Sequence, residues 1–185
     1  MRRCRICDTE MPTASKCVTM ICKKRLCSID CAVTWGQKSA VTQRERAQKK
    51  AHKADKDRIK TRTDWIKEAQ AAVNAYVRER DVLLPCVSCG RHHSGQYHAG
   101  HYRSVGSEPS LRFETMQIQK QCAPCNNHLS GNLINYRIEL IKRIGQKKLD
   151  WIEGPHEAKH YTVDDLKAIK IRYKAKLKNL RELAA

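Results

Sequence analysis

A small α+β protein stabilised by zinc is the fold class that the sequence predicts, on three observations. Ten cysteines fall into spaced groups, several stretches carry apolar residues at helical spacing, and the segment from 86 to 145 is rich in Cys, His and Gly, as a loop-built site would be. In 185 residues only 41% are hydrophobic and 5% aromatic, so the apolar core is modest and something besides burial must help fold the chain.

The cysteines supply that help. No run of about 18 apolar residues exists, and the first seven residues hold three Arg and two Cys, unlike a signal peptide. The expected compartment is therefore the cytoplasm, with no membrane association. Thiols stay reduced there, and thiolates are good zinc ligands. Cys86-Val-Ser-Cys89 and Cys122-Ala-Pro-Cys125 have the two-residue gap that lets both thiolates of a pair reach one tetrahedral ion at about 2.3 Å, and two pairs close a structural site. The competing account, four buried apolar cysteines, fits poorly with flanking Gly, Pro and polar residues. Cys4, Cys7, Cys17, Cys22, Cys27 and Cys31 crowd a second segment too short to fold by burial, so metal binding would supply its folding free energy. Two ligand sets satisfy tetrahedral geometry there, Cys4, Cys7, Cys27 and Cys31 or Cys4, Cys7, Cys22 and Cys27.

These patterns divide the chain into an N-terminal zinc knuckle (1–34), a basic linker (35–67), a module around the paired cysteines (68–150) and a basic C-terminal helix region (151–185). The linker has eleven Lys and Arg between 37 and 67, against Glu45, Asp55, Asp57 and Asp64, and almost no apolar periodicity, so a solvated helix or a disordered arm is expected. From Trp65 to Leu84 apolar residues fall at helical spacing, closed by Pro85, with Trp65 on the core side. A further helix is expected from about Leu133 to Ile144. Near the end Thr162 and Asp165 form a capping pair ahead of Leu166, Ile169, Tyr173, Leu177 and Leu180.

With 37 Lys and Arg against 19 Asp and Glu the formal charge is +18, and two four-thiolate zinc sites would still leave about +14. Such a surface favours a polyanion, nucleic acid before an acidic protein or a membrane. Between and after the cysteine pairs lie His92, His93, His98, His101, Asn126, Asn127 and His128. A neutral His can deprotonate water near pH 7, and a neighbouring side chain can hold a divalent cation against a phosphate. A zinc ribbon with surface histidines is the plainer alternative.

Beyond spacing, Ala99-Gly100-His101-Tyr102-Arg103-Ser104, Leu111-Arg112-Phe113, Gln121-Cys122-x-x-Cys125-Asn126, Ser130-Gly131-Asn132 and Tyr136-Arg137 together resemble the NinG/Rap recombination family of lambdoid phages. Cys4-x-x-Cys7 and Cys27-Ser28-x-x-Cys31 resemble its N-terminal finger, which favours the first ligand set; Arg78-Glu79-Arg80-Asp81 resembles its lead-in. The resemblance implies an HNH-like ββα-metal nuclease module with flanking helices, acting in the host cytoplasm on branched recombination intermediates such as Holliday junctions and D-loops. It implies structural Zn²⁺ at one or two sites and catalytic Mg²⁺ or Mn²⁺. His101 takes the place of the general base, Asn126 that of the last metal-binding residue, and His98 that of a possible third member of the site. Lys49, Lys50 and Lys53 of the linker, with Arg103, Arg112 and Arg137 of the motifs, are expected to meet DNA phosphates. Two nicks per junction suggest a homodimer, and host or phage recombination proteins are possible partners. Two departures stand out: His98 replaces the Asp that the family favours three residues before the base, which would suit a softer ion such as Mn²⁺, and Gln117 replaces the middle Asn. The rival from another class is a non-catalytic, zinc-dependent nucleic-acid-binding accessory factor, and a third reading is an HNH nuclease that cuts duplex DNA at a specific sequence.

Overall fold

The computed structural model describes residues 2–11 and 25–184, which form two compact units divided after Ile59. Cys17 and Cys22 lie outside the described residues.

In the first unit, β1 (Arg2–Arg3) pairs antiparallel with β2 (Glu10–Met11), placing Arg2 opposite Met11 and Arg3 opposite Glu10. The turn between them carries Cys4 and Cys7, with Asp8 at φ 58°, a left-handed value that Asp tolerates better than most residues. α1 (Ile29–Ile59) then runs for 31 residues without burying one. The basic stretch is thus a solvated helix, the first of the two forms expected for it, and it begins inside the segment assigned to the knuckle.

The second unit begins before residue 68 and does not end at 150. α2 (Arg62–Arg80) opens with a capping box in which Thr61 Oγ1 accepts from the Asp64 N–H and Asp64 accepts from the Thr61 N–H. α5 (Val163–Leu183) opens the same way with Thr162 and Asp165. The two helices share one core: Trp65, Ala69, Val73 and Val77 of α2 bury with Leu166 and Tyr173 of α5 and with Phe113, Ile118 and Tyr161. The C-terminal region is therefore part of the module's core, because only that burial covers its apolar stripe. Burying each such large side chain contributes on the order of 1.5–3 kcal/mol.

The apolar run from Trp65 does not continue to Leu84. α2 stops at Arg80, and Val82 and Leu83 are exposed. The cause is Asp81, which is buried, takes a two-point ion pair from Arg80 at 2.6 and 2.8 Å and accepts the Lys120 N–H at 3.0 Å, so the chain must turn there.

β3 (Tyr97–His101) and β4 (Ile118–Cys122) form an antiparallel ribbon in which Tyr97 faces Cys122 and His101 faces Ile118. The ribbon lies against α2 through Ala99 and Ile118. After a π-helical turn (Pro124–His128) come α3 (Leu133–Ile144), as expected, and α4 (Gln146–Glu153), which the sequence did not announce. Tyr136 of α3 reaches back to the ribbon, its hydroxyl 2.9 Å from the Gly100 and Gln117 carbonyls. Among the described residues no helix is long and apolar enough to cross a membrane.

Candidate functional site

Two cysteine clusters match the expected ligand sets. The Sγ atoms of Cys4, Cys7, Cys27 and Cys31 lie within 4.8 Å of one another, and so do those of Cys86, Cys89, Cys122 and Cys125. Four sulfurs around one zinc at about 2.3 Å should stand about 3.8 Å apart. The separations Cys27–Cys31 at 3.5 Å, Cys7–Cys31 at 3.7 Å and Cys89–Cys122 at 3.9 Å lie near that spacing, and Cys7–Cys27 at 3.2 Å is tighter. Both clusters can hold a structural zinc. Burial pushes the Cys86 thiol up, but N–H groups of Cys122, Cys89 and Ser88 outweigh it and bring the thiol down to about 7, while burial drives Cys122 up to about 12. Without an ion, the four sulfurs share few negative charges; a dication removes that restriction.

His93 Nε2 lies 3.2 Å from Cys89 Sγ, and the backbone N–H of His93 donates to Tyr97 Oη at 2.6 Å. His93 thus belongs to the surroundings of the zinc cluster. His92 and His128 are exposed.

Beside the Cys122–Cys125 turn lies a cleft of about 630 Å³ whose lining includes His101, Tyr102, Arg103, Asn126, Ser130 and Glu153. His101 ends β3, and its Nε2 lies 3.1 Å from the Arg112 carbonyl. A carbonyl only accepts, so the ring proton sits on Nε2 and the Nδ1 lone pair is left for another partner. Burial holds the His101 imidazole below its ordinary value of 6.5, against smaller opposing effects from the Arg112 and Ala99 backbone. It is therefore neutral at pH 7. Asn126 stands in the π-helical turn and donates from Nδ2 to Asn127 Oδ1 at 2.8 Å, an arrangement that leaves its own carbonyl oxygen without a partner among the described residues.

His98 is not brought into this site. It does not line the cleft, its Nε2 is buried without a hydrogen-bond partner, and a spacing of three along a strand puts it on the opposite face from His101. The expectation that it joins Asn126 around one ion is corrected on that ground. Gln117 is fully buried, donates from Nε2 to the Leu111 carbonyl at 3.0 Å and accepts the Arg103 N–H at 2.8 Å. Both ends of its amide are therefore bonded.

Of the three motif arginines, two have their donors committed. Arg103 donates from Nη1 to the Ile152 and Glu153 carbonyls at 3.3 and 3.1 Å and pairs with Glu108 at 3.5 Å, capping the C-terminal end of α4. Arg137 forms a two-point pair with Glu153 at 2.6 and 2.9 Å, and Tyr102 Oη donates to the same carboxylate at 2.6 Å. Burial and that carboxylate push the Tyr102 phenol up to about 12, whereas the Arg137 pair holds Glu153 below the usual carboxylate range. These bonds tie Arg103 and Arg137 into the cleft wall beside Glu153. Arg112 makes no ion pair among the described residues. Lys49, Lys50 and Lys53 are exposed on α1. Glu153 was missed by the sequence reading. It stands 52 residues from His101 with no motif around it, and only the packing of α4 brings it to the cleft.

A family model described as "Bacteriophage Lambda NinG protein" matches residues 1–182. The chain belongs to the NinG family. Relatives called "Protein ninG" include that of Escherichia phage lambda, 47% identical with 84% of this chain and 83% of the relative covered. The protein of Escherichia phage 933W is 50% identical over 82% and 84%, and that of Salmonella phage P22 is 45% identical over 84% of each. No solved structure matches this NinG-family chain.

Proposed function

We propose that this NinG-family chain is a metal-dependent endonuclease of the HNH kind that nicks branched DNA intermediates of phage recombination. The observation that carries the reading is the shared cleft of His101 and Asn126, with the His101 proton held on Nε2 by a backbone carbonyl. An antiparallel ribbon followed by a helix, with the base at the end of the first strand, is the layout that a ββα-metal site requires.

In this reading His101 Nδ1 accepts the proton of the attacking water, which its depressed basicity permits near neutral pH. Asn126 offers a hard amide oxygen, and with phosphate oxygens and water it suits Mg²⁺ or Mn²⁺ better than a soft ion. A bound divalent ion supplies charge neutralisation at the phosphate and the leaving oxygen. Gln117 and Tyr136 keep the strand end and the loop after it fixed, while Arg103, Arg137 and Glu153 hold the cleft wall. The exposed lysines of α1, with Arg112, attract the phosphate backbone. Cutting both strands of a junction calls for two copies acting together.

The test is cleavage of a four-way junction and of a linear duplex by the zinc-loaded chain with Mg²⁺ or Mn²⁺. The parent should nick the junction preferentially. His101→Ala should lower the rate by about 10²–10⁴-fold. An equal rate in that variant, or junction binding without cleavage in either metal, would overturn the nuclease reading and favour a binding factor.

A further inference from the structure

A second cavity, of about 410 Å³, is lined in part by the 110–115 segment and lies within the roughly 300–1,000 Å³ range of small-ligand sites. Its walls include Trp151, Tyr161, Tyr173, Lys159, Arg172 and Lys176. Tyr161 and Tyr173 are buried, but Trp151 is 48% exposed, its indole held edge-on by the His156 ring at 4.7 Å between centroids and 71° between planes. A half-open indole steadied in this way costs little further entropy when a flat ring stacks on it. Lys159 stands 5.1 Å from the Tyr161 ring centre, and Arg172 and Lys176 stand 5.7 and 5.3 Å from that of Tyr173, so the cations are gathered along the same walls. Glu114 and Glu157 also line the cavity and can accept from the N–H groups of a base edge. Aromatic face, cations and edge acceptors in one cavity are the chemistry of a nucleotide.

The cavity is tied to the cleft by chain connection. Leu111 and Phe113, which line it, flank Arg112, whose carbonyl holds His101; Trp151 precedes Glu153 of the cleft wall by two residues on α4. We infer that this cavity receives one unpaired nucleotide of the bound DNA, its base stacked on Trp151 and its phosphates met by Lys159, Arg172 and Lys176. The inference rests on the DNA-nuclease reading and deepens it: a branch point exposes unpaired bases and a continuous duplex does not, so the cavity would select the branched substrate.

Binding without cleavage separates the two claims. The zinc-loaded His101→Ala chain, without Mg²⁺ or Mn²⁺, is titrated with a short oligothymidylate and with a fully paired duplex of equal length. Trp151→Ala in that background should weaken oligothymidylate binding by roughly 5- to 150-fold. Duplex affinity should stay within about two-fold, Trp151→Phe should keep most of the oligothymidylate affinity, and indole fluorescence should be quenched only where Trp151 is present. Equal losses on both ligands, or no loss on either, would overturn the inference. If this contrast is found and the parent chain with Mg²⁺ or Mn²⁺ cuts no junction, the nuclease reading falls and the nucleotide cavity stands.

Discussion

A β-carbon added at Gly100 would lie 2.1 Å from Gln121 Oε1. That amide cannot swing away freely, because its Nε2 donates to Ser88 Oγ at 2.6 Å and to the Gly131 carbonyl, joining the ribbon to the Cys86–Cys89 turn and to the segment before α3. Gly100→Ala should therefore destabilise the second unit by about 1–3 kcal/mol in urea unfolding. Combined with Gln121→Ala, the two losses should fall short of additive, since the second change removes the atom with which the first collides. His101 has a signature in pH. Its folded value lies below the ordinary 6.5, so between the two values the unfolded chain binds the proton and the folded chain does not. Its contribution to stability is present above 6.5 and is lost as pH falls through the folded value. The acid limb of the cleavage profile should likewise have its midpoint below 6.5. His101, Asn126 and the eight clustered cysteines were legible because motif and spacing mark them. Glu153 was not, and His98 was misplaced because position along the motif says nothing of the alternation of a strand.

At the level of elements, α2, α3 and α5 were readable, and α4 and the ribbon were not. α2, α3 and α5 each bury one stripe, which leaves a period near 3.6 in the sequence. β4 reads Ile-Gln-Lys-Gln-Cys, and all five residues are buried, so no alternation survives. Its polar side chains are there because each finds a partner: Lys120 Nζ donates to the Val82 carbonyl at 2.8 Å and lies 4.4 Å from the Tyr97 ring centre, and burial lowers its pKa. The α2–α5 seam depends on apolar contact, and Leu166, fully buried there, should cost about 2–5 kcal/mol when changed to Ala, measured by thermal or urea unfolding. Zinc held by the two cysteine clusters would staple turns that have little core of their own. The purified chain should carry two zinc ions by metal analysis. Cys89→Ala should remove one and loosen the cleft, while Cys7→Ala should remove the other and leave the second unit's unfolding transition in place.

Over the whole molecule the charge of +18 is the property most directly read from composition, and its distribution is what the structure adds. Part of the basic complement serves the fold itself: Arg80, Arg103 and Arg137 are bound to carboxylates and carbonyls of the second unit. The lysines of α1 are not needed for any core. Changing Lys49, Lys50 and Lys53 together to Ala should leave unfolding of the second unit unchanged. It should weaken DNA binding more at low salt than at high, flattening the plot of log affinity against log salt by about 0.9 for each phosphate that is no longer neutralised.

α1 also sets a length. Its 31 residues, at about 1.5 Å each, make a rod of about 46 Å, and along B-form DNA at about 3.4 Å per base pair that distance corresponds to about 14 base pairs. With none of its residues buried, this helix can lie along a partner of similar extent. Junctions with progressively trimmed arms should therefore bind with constant affinity down to about that arm length and lose it stepwise below, a ruler that a footprinting ladder would display directly.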